Sequence, residues 1–485
     1  MEIKRKSARV REYARIGAAF TAAVVCLVAI LNVIIFALGS KYKWYFFEAE
    51  NYQHTISNSS YELFEGDEEQ TEIIFCMEKE EIEEDIICNL VWQTANQLAE
   101  RHDFIEISNV NIYLQPKKLA KYKYTVDENG NQVQSAVINK ETVIIANKEN
   151  YRVLTLSDFF ILNSNGVITS YNGEEVMLSA LSWVQRETHP IAYFTNTHGE
   201  NVSSLLAFYN VLINSGYDVR TIDLFSEKID ESAELIIMSN PIYDIERAAD
   251  GSGIISEAEQ LSAFLSRGGT LFVGLDPYIK SELTQLRAFL SEWGMETDAS
   301  IIMDSENAIS HDGYTLVTKY ADSELGREIY SEIEKYNKSY TIVKDASPII
   351  LEDREKAQAS AILTAYPSAK AYKNGKLSSD EGSFVLLAMA QSGEGKVILS
   401  SGAYLVANDV LNSEVYSNRE LLFTLLEQAG CDYTTKGANA LPIASNMLEG
   451  LTTRVSDLYA TLLIIIIPLA VGACAFVVVT KRKNR

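Results

Sequence analysis

Ile191-Ala-Tyr-Phe-Thr-Asn-Thr-His-Gly-Glu200 opens the stretch of sequence, residues 191–277, that decides the fold. Its first five residues form an apolar strand, and a polar loop and an amphipathic helix pattern follow. Strands that alternate with such helices predict crossover connections and a mainly parallel sheet. The predicted strands are 191–195, 217–224, 234–239 and 270–275, and the predicted helices are 205–213 and 257–267.

Polar residues follow three of these strands at the points where they end. His198 and Glu200 follow the first strand, Asn240 follows the third and Asp276 follows the fourth. Open parallel sheets bind ligands beyond the carboxyl ends of their strands, so we expect these four residues to form a binding surface. A metal site from His198, Glu200 and Asp276 is conceivable. The alternative is a loop in which the histidine and the glutamate cap the next helix. We favour that alternative, so the sequence predicts no metal and no cofactor.

Two uncharged segments, 16–39 and 458–480, are each longer than the roughly 20 residues that span a bilayer as a helix. Basic tails flank them at 1–15 and 481–485, so the positive-inside rule predicts that both termini are cytoplasmic and that the bulk is extracytoplasmic. A cleaved signal peptide is the alternative for the first segment, but its apolar run exceeds a signal h-region. We therefore expect a two-pass protein of the cell membrane.

Charge and cysteine content exclude several classes of function. Asp and Glu number 66 against 42 Lys and Arg, which leaves a formal net charge of −24. Such an acidic chain repels phosphate backbones and is not expected to bind nucleic acid. The five cysteines show neither a disulfide framework nor a zinc pattern. A bridge between Cys76 and Cys88 stays open, because sequence alone does not decide it.

Residues 40–70 are polar and aromatic and predict a stalk, and an α/β unit over 71–165 follows it. Its predicted order is strand, helix, strand and a hairpin of 132–138 with 142–146, which resembles a thioredoxin-like domain. In such domains a Cys-x-x-Cys pair follows the first strand, but here Cys76-Met-Glu-Lys79 has one cysteine with acidic neighbours. We therefore expect a binding or spacing unit without redox activity.

A larger α/β domain is predicted over 170–435, with a polar, partly ordered excursion from the sheet at 295–346 and a linker at 436–457. The order of its elements is flavodoxin-like or amidotransferase-like. However, the fourth strand ends Gly274-Leu-Asp-Pro277 without a thiol, and no Gly-x-Ser-x-Gly elbow follows any strand. A phosphate-binding loop Gly-x-x-x-x-Gly-Lys-Ser/Thr is also absent from the sequence. The sequence thus predicts no catalytic residue and no enzyme.

The succession of these motifs resembles the gliding-motility-type auxiliary component of ABC transporters, over most of the chain. Two positions depart from that family: Thr197 stands where glycine is common, and Ser400-Ser-Gly-Ala403 replaces a Gly-Asp-Ser-like turn. The motifs that carry the resemblance are residues 191–200, Gly216-Tyr-Asp-Val219, Pro241, Leu261-Ser-Ala-Phe-Leu265, Gly268-Gly269, Asp276-Pro277, Trp293-Gly-Met295, Gly395-Lys-Val-Ile-Leu399 and Asn418-Arg-Glu-Leu-Leu422.

The resemblance implies a non-catalytic accessory membrane subunit that works beside an ABC permease and a separate ATP-binding subunit. Two spans are too few to form a translocation pore, so a partner is expected on physical grounds as well. Two alternatives stay open. One is a membrane-anchored hydrolase or amidotransferase-like enzyme that uses His198 and Glu200. The other is an envelope scaffold protein without a transporter.

Overall fold

The computed structural model describes residues 68–126, 132–162, 168–246 and 256–430, with single gaps at 135, 280, 310, 337, 339, 380 and 414. It also describes residues 56, 166, 441 and 442 and a few positions between 458 and 477. The predicted stalk, the two predicted spans and both tails lie almost wholly outside these residues. Within the part that is described, no helix is long and apolar enough to cross a bilayer.

The first part of the described chain, residues 68–184, is built around a small four-stranded sheet. A short 3-10 turn, Leu156–Phe159, lies between its last strand and the next element. The elements are β1 (Thr71–Phe75), α1 (Lys79–Glu84), α2 (Ile86–Arg101), β2 (Ile105–Asn109), α3 (Pro116–Lys123), β3 (Tyr124–Val126), β4 (Gln132–Gln134), β5 (Thr142–Ala146), β6 (Tyr151–Thr155), β7 (Phe160–Leu162), β8 (Ile168–Tyr171) and α4 (Gly173–Val184).

The small sheet has the strand order β2-β1-β5-β6, with β2 parallel to β1 and the other two pairings antiparallel. Helix α2 starts where it does because the Asp85 carboxylate accepts hydrogen bonds from the N–H groups of Ile87 and Cys88. The predicted hairpin is wrong: β4 pairs with β3, whereas β5 pairs with β1 and β6. All five residues of β5 are buried. The backbone N–H and C=O groups on both edges of this strand therefore need hydrogen-bond partners from neighbouring strands.

The second part is built around a larger sheet, here called the main sheet. Short 3-10 turns lie at Val202–Leu205, Glu334–Tyr336 and Ala403–Val406. The elements are β9 (Ile191–Thr195), α5 (Leu206–Asn214), β10 (Asp218–Ile222), β11 (Ala233–Ser239), α6 (Glu257–Ser266), β12 (Thr270–Gly274), α7 (Thr284–Glu292), β13 (Met295–Thr297), β14 (Ile301–Met303), β15 (Thr315–Val317), β16 (Lys319–Tyr320), α8 (Glu324–Ile333), β17 (Ile342–Lys344), β18 (Ile349–Leu351), β19 (Gln358–Thr364), β20 (Lys370–Lys373), β21 (Lys376–Ser379), β22 (Val385–Ser392), β23 (Gly395–Ser400), α9 (Asn408–Leu411), α10 (Asn418–Gln428) and β24 (Leu441–Pro442).

Five parallel strands form the heart of the main sheet in the order β10-β9-β11-β12-β23. Counted along the chain, this order is 2-1-3-4-5. Antiparallel strands β22, β18 and β13 extend the sheet on one side. Strands β9 and β12 are buried along their whole length, as expected for strands covered on both faces. The protein is therefore a mixed α/β protein with a parallel-sheet domain.

Helices cover both faces of the main sheet. Phe194 and Ile237 point to one side, where α5, α8 and α10 pack. Their neighbours Tyr193 and Ile236 point to the other side, where α6 and α7 pack. Gly395 allows β23 to pass close to the end of α6, because a Cβ at this position would lie 2.2 Å from the backbone oxygen of Leu265.

Two predicted irregular segments contain strands of the sheets. Segment 295–346 was expected to leave the main sheet, but β13 pairs with β18 and β16 pairs with β19. Its apolar residues Ile302, Leu316 and Ile329 are buried in the core, which explains why a polar segment is nevertheless ordered. The predicted linker at 436–457 supplies β24, which pairs with β8. Apolar residues are sparse in both segments, so the sequence pattern did not predict these strand pairings.

Helix α4 and a half-buried arginine connect the small sheet with the main-sheet domain. The helix packs between β5 on one side and α5 on the other. Arg152 on β6 donates hydrogen bonds to the carbonyl oxygens of Ile213 (3.0 Å) and Tyr217 (3.3 Å) at the end of α5. Its guanidinium lies 4.7 Å from the centre of the Trp183 ring. Burial lowers the pKa of Arg152 to about 10.

Candidate functional site

The loop after β9 is fixed by the segment that follows β11. The carbonyl oxygen of His198 accepts hydrogen bonds from the N–H groups of Ile242 (2.6 Å) and Tyr243 (2.9 Å). Gly199 has φ +83, and a Cβ at this position would lie 3.1 Å from the side chain of Ile242. Glycine meets both conditions of this tight loop, the left-handed backbone and the close approach.

His198 lies between two carboxylates in the interior. Its Nδ1 is 3.1 Å from Oε1 of Glu200, and its Nε2 is 3.0 Å from Oε1 of Glu257. The side chains of all three residues are at most 4 % exposed. Further hydrogen bonds complete the arrangement. Glu200 accepts from the Thr195 hydroxyl and from the backbone N–H of His198, and Glu257 accepts from the backbone N–H of Glu246. We call His198, Glu200 and Glu257 the histidine clasp.

The clasp holds His198 as an imidazolium ion at neutral pH. Burial by itself lowers the pKa of the ring, but the hydrogen bonds that the ring donates to Glu200 and Glu257 outweigh this effect and raise the pKa to about 9. Burial likewise opposes ionisation of Glu200, yet bonds from His198 and Thr195 lower the pKa of that carboxyl. Two carboxylates on opposite sides of one ring therefore stabilise its charged form.

An imidazolium with both N–H groups bonded to carboxylates has no lone pair for a metal ion or for accepting a proton. Among the described residues, no group of three His, Cys, Asp or Glu side chains has an arrangement suited to a metal ion. The sequence predicted that His198 and Glu200 contribute to a binding surface, but their side chains are buried and bonded to each other. The Glu200 carboxylate accepts hydrogen bonds from Thr195 and His198 and so fixes the loop that contains it. The alternative prediction, in which Glu200 caps the next helix, differs from these contacts.

Glu257 is the member of the clasp that sequence reasoning missed. It is the first residue of α6, directly after Ser256, whose hydroxyl accepts a hydrogen bond from the Glu259 N–H. This Ser-x-x-Glu pattern marks the start of a helix. It gives no indication that the intervening carboxylate meets a histidine 59 positions earlier.

Asn240 and Asp276 lie at the same end of the main sheet as the clasp. Asn240 ends β11 with a left-handed backbone, φ 56, and its N–H donates to the Gly274 carbonyl oxygen (2.7 Å). The Oδ1 atom of Asn240 is buried and has no hydrogen-bond partner among the described residues. Asp276 follows β12, and its Oδ1 accepts a hydrogen bond from the Tyr278 N–H at 2.8 Å. The predicted residues thus share one edge, but of the four only Asp276 lines the open cavity described next.

This cavity, here called the strand-end cavity, lies beyond the carboxyl ends of β12 and β23 and has a volume of about 570 Å³. That volume is within the usual range of small-molecule sites. Its walls come from several separate segments of the chain, and ten of the fourteen lining residues that the structure describes are polar or charged. The lining residues are Leu275, Asp276, Pro277, Ile279, Ser281, Glu282, Thr284, Arg287, Thr297, Asp298, Ala299, Ser347, Lys373 and Ser401.

A second carboxyl group lies beside Asp276. Asp345 has a left-handed backbone, φ 52, and its Oδ1 accepts a hydrogen bond from the Tyr278 hydroxyl at 3.4 Å. Burial raises the pKa of Asp345, the charge of Lys344 opposes that effect, and the charge of Asp276 adds to it. Non-glycine residues with positive φ concentrate at functional sites, and here two of them, Asn240 and Asp345, lie near the ends of parallel strands.

The cysteines of the small sheet are not arranged for redox chemistry. Cys76 and Cys88 are both buried, and neither takes part in a disulfide. Burial raises the pKa of each thiol to about 12, and at Cys88 the charge of Asp85 adds to the effect. Thiols react as thiolates, so these two have little reactivity in the folded protein. The bridge that the sequence left open is therefore not formed.

Comparison with known proteins does not identify a family. No protein-family model and no curated protein matches the chain. Among solved structures, a putative ThuA-like protein from Parabacteroides merdae is similar at 12 % identity over 52 % of this chain and 92 % of its own, with a TM-score of 0.32.

Two glycosidases show a similarly remote likeness. The β-galactosidase from Bacillus circulans sp. alkalophilus has 12 % identity over 54 % of this chain and 34 % of its own, with a TM-score of 0.28. The exo-β-1,4-mannosidase from Opitutaceae bacterium strain TAV5 has 10 % identity over 73 % and 49 %, with a TM-score of 0.27. The chain thus spans less than half the length of either glycosidase. TM-scores this low do not establish a shared fold.

Proposed function

We propose that this chain is a non-catalytic accessory membrane subunit of an ABC transport system. In this proposal the main-sheet domain recognises the transported substance outside the cytoplasm. The two segments 16–39 and 458–480 anchor the domain in the cell membrane, with both termini in the cytoplasm. The order of sequence motifs that resembles the gliding-motility-type auxiliary component is the origin of the proposal.

The observation that carries the proposal is the contrast between the histidine clasp and the strand-end cavity. His198 has both ring nitrogens bonded and its side chain is 4 % exposed, so it is poorly suited to acid–base catalysis. The cavity beside Asp276 is open, contains several charged side chains and is located where parallel sheets bind ligands. This contrast favours a binding domain over the hydrolase or amidotransferase-like enzyme that would use His198 and Glu200.

The strand orders support the two finer fold assignments. The parallel order 2-1-3-4-5 is that of flavodoxin-like sheets. The order β2-β1-β5-β6, with one parallel and two antiparallel pairings, supports a thioredoxin-like small unit. In that unit Cys76 is buried and has a raised pKa, which supports a spacing or binding role.

A permease and a separate ATP-binding subunit are the partners in this proposal. The sequence has no phosphate-binding loop, so energy must come from another subunit. Small residues in the predicted spans, such as Gly17, Ala18 and Gly472, suit close packing against permease helices.

Affinity purification of the tagged full chain from solubilised membranes tests the proposal. We expect a permease and an ATP-binding protein to be recovered in a fixed ratio to the chain. A matched Asp276→Asn chain should recover the same partners, since the cavity is assigned to the transported substance. Recovery of neither subunit under conditions that preserve other transporters would overturn the proposal and favour the envelope scaffold.

A further inference from the structure

We infer that the strand-end cavity binds a small zwitterion, an amino acid or a dipeptide with a free ammonium and a free carboxylate group. The inference rests on the proposed function for its biological role, because it names the class of substance that the main-sheet domain recognises. It rests on the described residues for its chemistry.

Two opposite charges in the cavity walls have no ion pair among the residues that the structure describes. Lys373 and Asp298 lie 3.5 Å apart and compensate each other. Glu282 is exposed to solvent. Arg287 and Asp276 are partly buried, and neither forms an ion pair within the described part of the chain. A ligand that neutralises both must carry a negative and a positive group.

Arg287 is held ready for a carboxylate. Its Nε donates to the Glu282 carbonyl oxygen at 2.9 Å, and its Nη1 donates to the carbonyl oxygen (3.2 Å) and the hydroxyl of Thr297. These acceptors are neutral, so they orient the guanidinium without compensating its charge. Its Nη2 has no partner among the described residues and keeps its N–H donors for a charge-assisted hydrogen bond to a carboxylate oxygen.

Asp276 and Ser347 are suited to an ammonium group. One oxygen of Asp276 accepts the Tyr278 N–H, and the other has no partner among the described residues. Ser347 is only 5 % exposed, yet its hydroxyl bonds no described residue and the residue lines the cavity. The hydroxyl is therefore free to accept an N–H from a ligand in the cavity. Asp345 adds negative potential on the same side.

Other classes of ligand fit these charges less well. Among the described residues of the cavity walls, an anion would meet three carboxylates and two cations. A neutral sugar would cover Arg287 and Asp276 and leave both charges desolvated and unpaired, which is costly. A simple amine would pair with Asp276 but would leave the charge of Arg287 desolvated and unpaired. The volume of about 570 Å³ holds a dipeptide together with water.

Calorimetric titration of the purified full chain tests the inference, with the proteinogenic L-amino acids and dialanine as probes. We expect at least one probe to bind, and its N-acetylated and amidated analogues to bind far more weakly because each lacks one charge. Asp276→Asn and Arg287→Gln should each weaken binding by about 10- to 100-fold, the usual worth of a hydrogen bond to a charged group. Glu355→Gln, at an exposed position outside the cavity walls, is the matched control and should bind as the parent chain does.

Three results would overturn the inference: no probe binds, glucose binds in place of the zwitterions, or Glu355→Gln loses as much affinity as Asp276→Asn. The amide introduced by Asp276→Asn can still accept the Tyr278 N–H, so this variant should fold, and the unfolding midpoint of each unliganded variant verifies this. Recovery of permease and ATP-binding subunits is measured separately. Absence of zwitterion binding would contradict the inference about the cavity. Absence of transporter subunits would contradict the proposed function, so the two failures are distinguishable.

Discussion

The Nε2 atom of His198 lies 3.0 Å from Oε1 of Glu257, although 59 positions separate the two residues. This contact joins the loop that ends β9 to the first turn of α6. Glu200 holds the opposite side of the ring. The residue that looked most like a catalytic candidate thus connects two elements of the main-sheet domain, and its contribution to stability is measurable.

Replacing His198 with glutamine should destabilise the fold strongly. The substitution removes the charge between two buried carboxylates, and loss of one partner of a buried ion pair costs about 3–5 kcal/mol. Urea unfolding of the full chain measures the free energy of unfolding. The matched control is His311→Gln at an exposed position, which should change stability by less than about 0.5 kcal/mol. Equal stabilities of the two variants would contradict a stabilising clasp.

Stability should fall with rising pH in a window set by His198. The pKa of the ring is raised to about 9 in the folded chain, above its ordinary value of 6.5. The folded state then binds the proton more tightly, so the clasp contributes fully below pH 6.5 and its contribution is lost as pH rises through about 9. The lowered pKa of Glu200 acts oppositely, and its contribution is lost as pH falls below the ordinary glutamate range.

The measurement for this pH dependence is the difference in unfolding free energy between the parent chain and His198→Gln. In this difference, the contributions of groups that titrate alike in both proteins cancel. It should be largest in mildly acidic solution and shrink by about 3 kcal/mol towards alkaline pH. A difference that stays constant from about pH 6 to about pH 10 would show that the ring is not held as an imidazolium ion.

A second buried ion pair should behave as a coupled unit. Nη2 of Arg419 on α10 lies 2.5 Å from Oε1 of Glu175 on α4, and the side chains are 10 % and 6 % exposed. Arg419→Met and Glu175→Leu should each cost about 3–5 kcal/mol, whereas the double variant should cost less than their sum because no charge is left unpaired. The exposed pair Arg327–Asp322 is the control, with an expected coupling below about 1 kcal/mol. Additive costs at the buried pair would contradict this prediction.

Cys76 and Cys88 should resist alkylation in the folded chain. Both are buried, and the pKa of each thiol is raised to about 12. Iodoacetamide at about pH 8 should leave both unmodified in native protein and modify both in guanidinium chloride, as measured by mass spectrometry of their peptides. A peptide pair linked through these two cysteines, or rapid native labelling, would be inconsistent with the structure.

Local patterns predicted much of the main sheet. The strand expected at 270–275 is β12, Thr270–Gly274, and the helix expected at 257–267 is α6, Glu257–Ser266. Such patterns succeed here because each apolar residue faces the core with the period of its own element. They failed at the 132–146 hairpin, because alternation shows that a segment is a strand without showing which strand is its partner.

The position of the candidate residues was predictable, but their roles were not. His198, Asn240 and Asp276 each follow a strand, and parallel strands bring such positions to one edge. The separation into a closed clasp and an open cavity depends on Glu257 and on residues from distant segments, such as Ser347 and Lys373. No spacing in the sequence connects these groups.

By itself, the sequence determined the α/β class, the parallel core and the edge of the sheet at which polar residues meet. It did so because burial and backbone hydrogen bonding impose their periods on each element separately. The tertiary structure decided that His198 is enclosed by two carboxylates and that Arg287 and Asp276 face a common cavity. The physical reason is that the pairing of charges depends on distances between side chains that only the packed chain brings together.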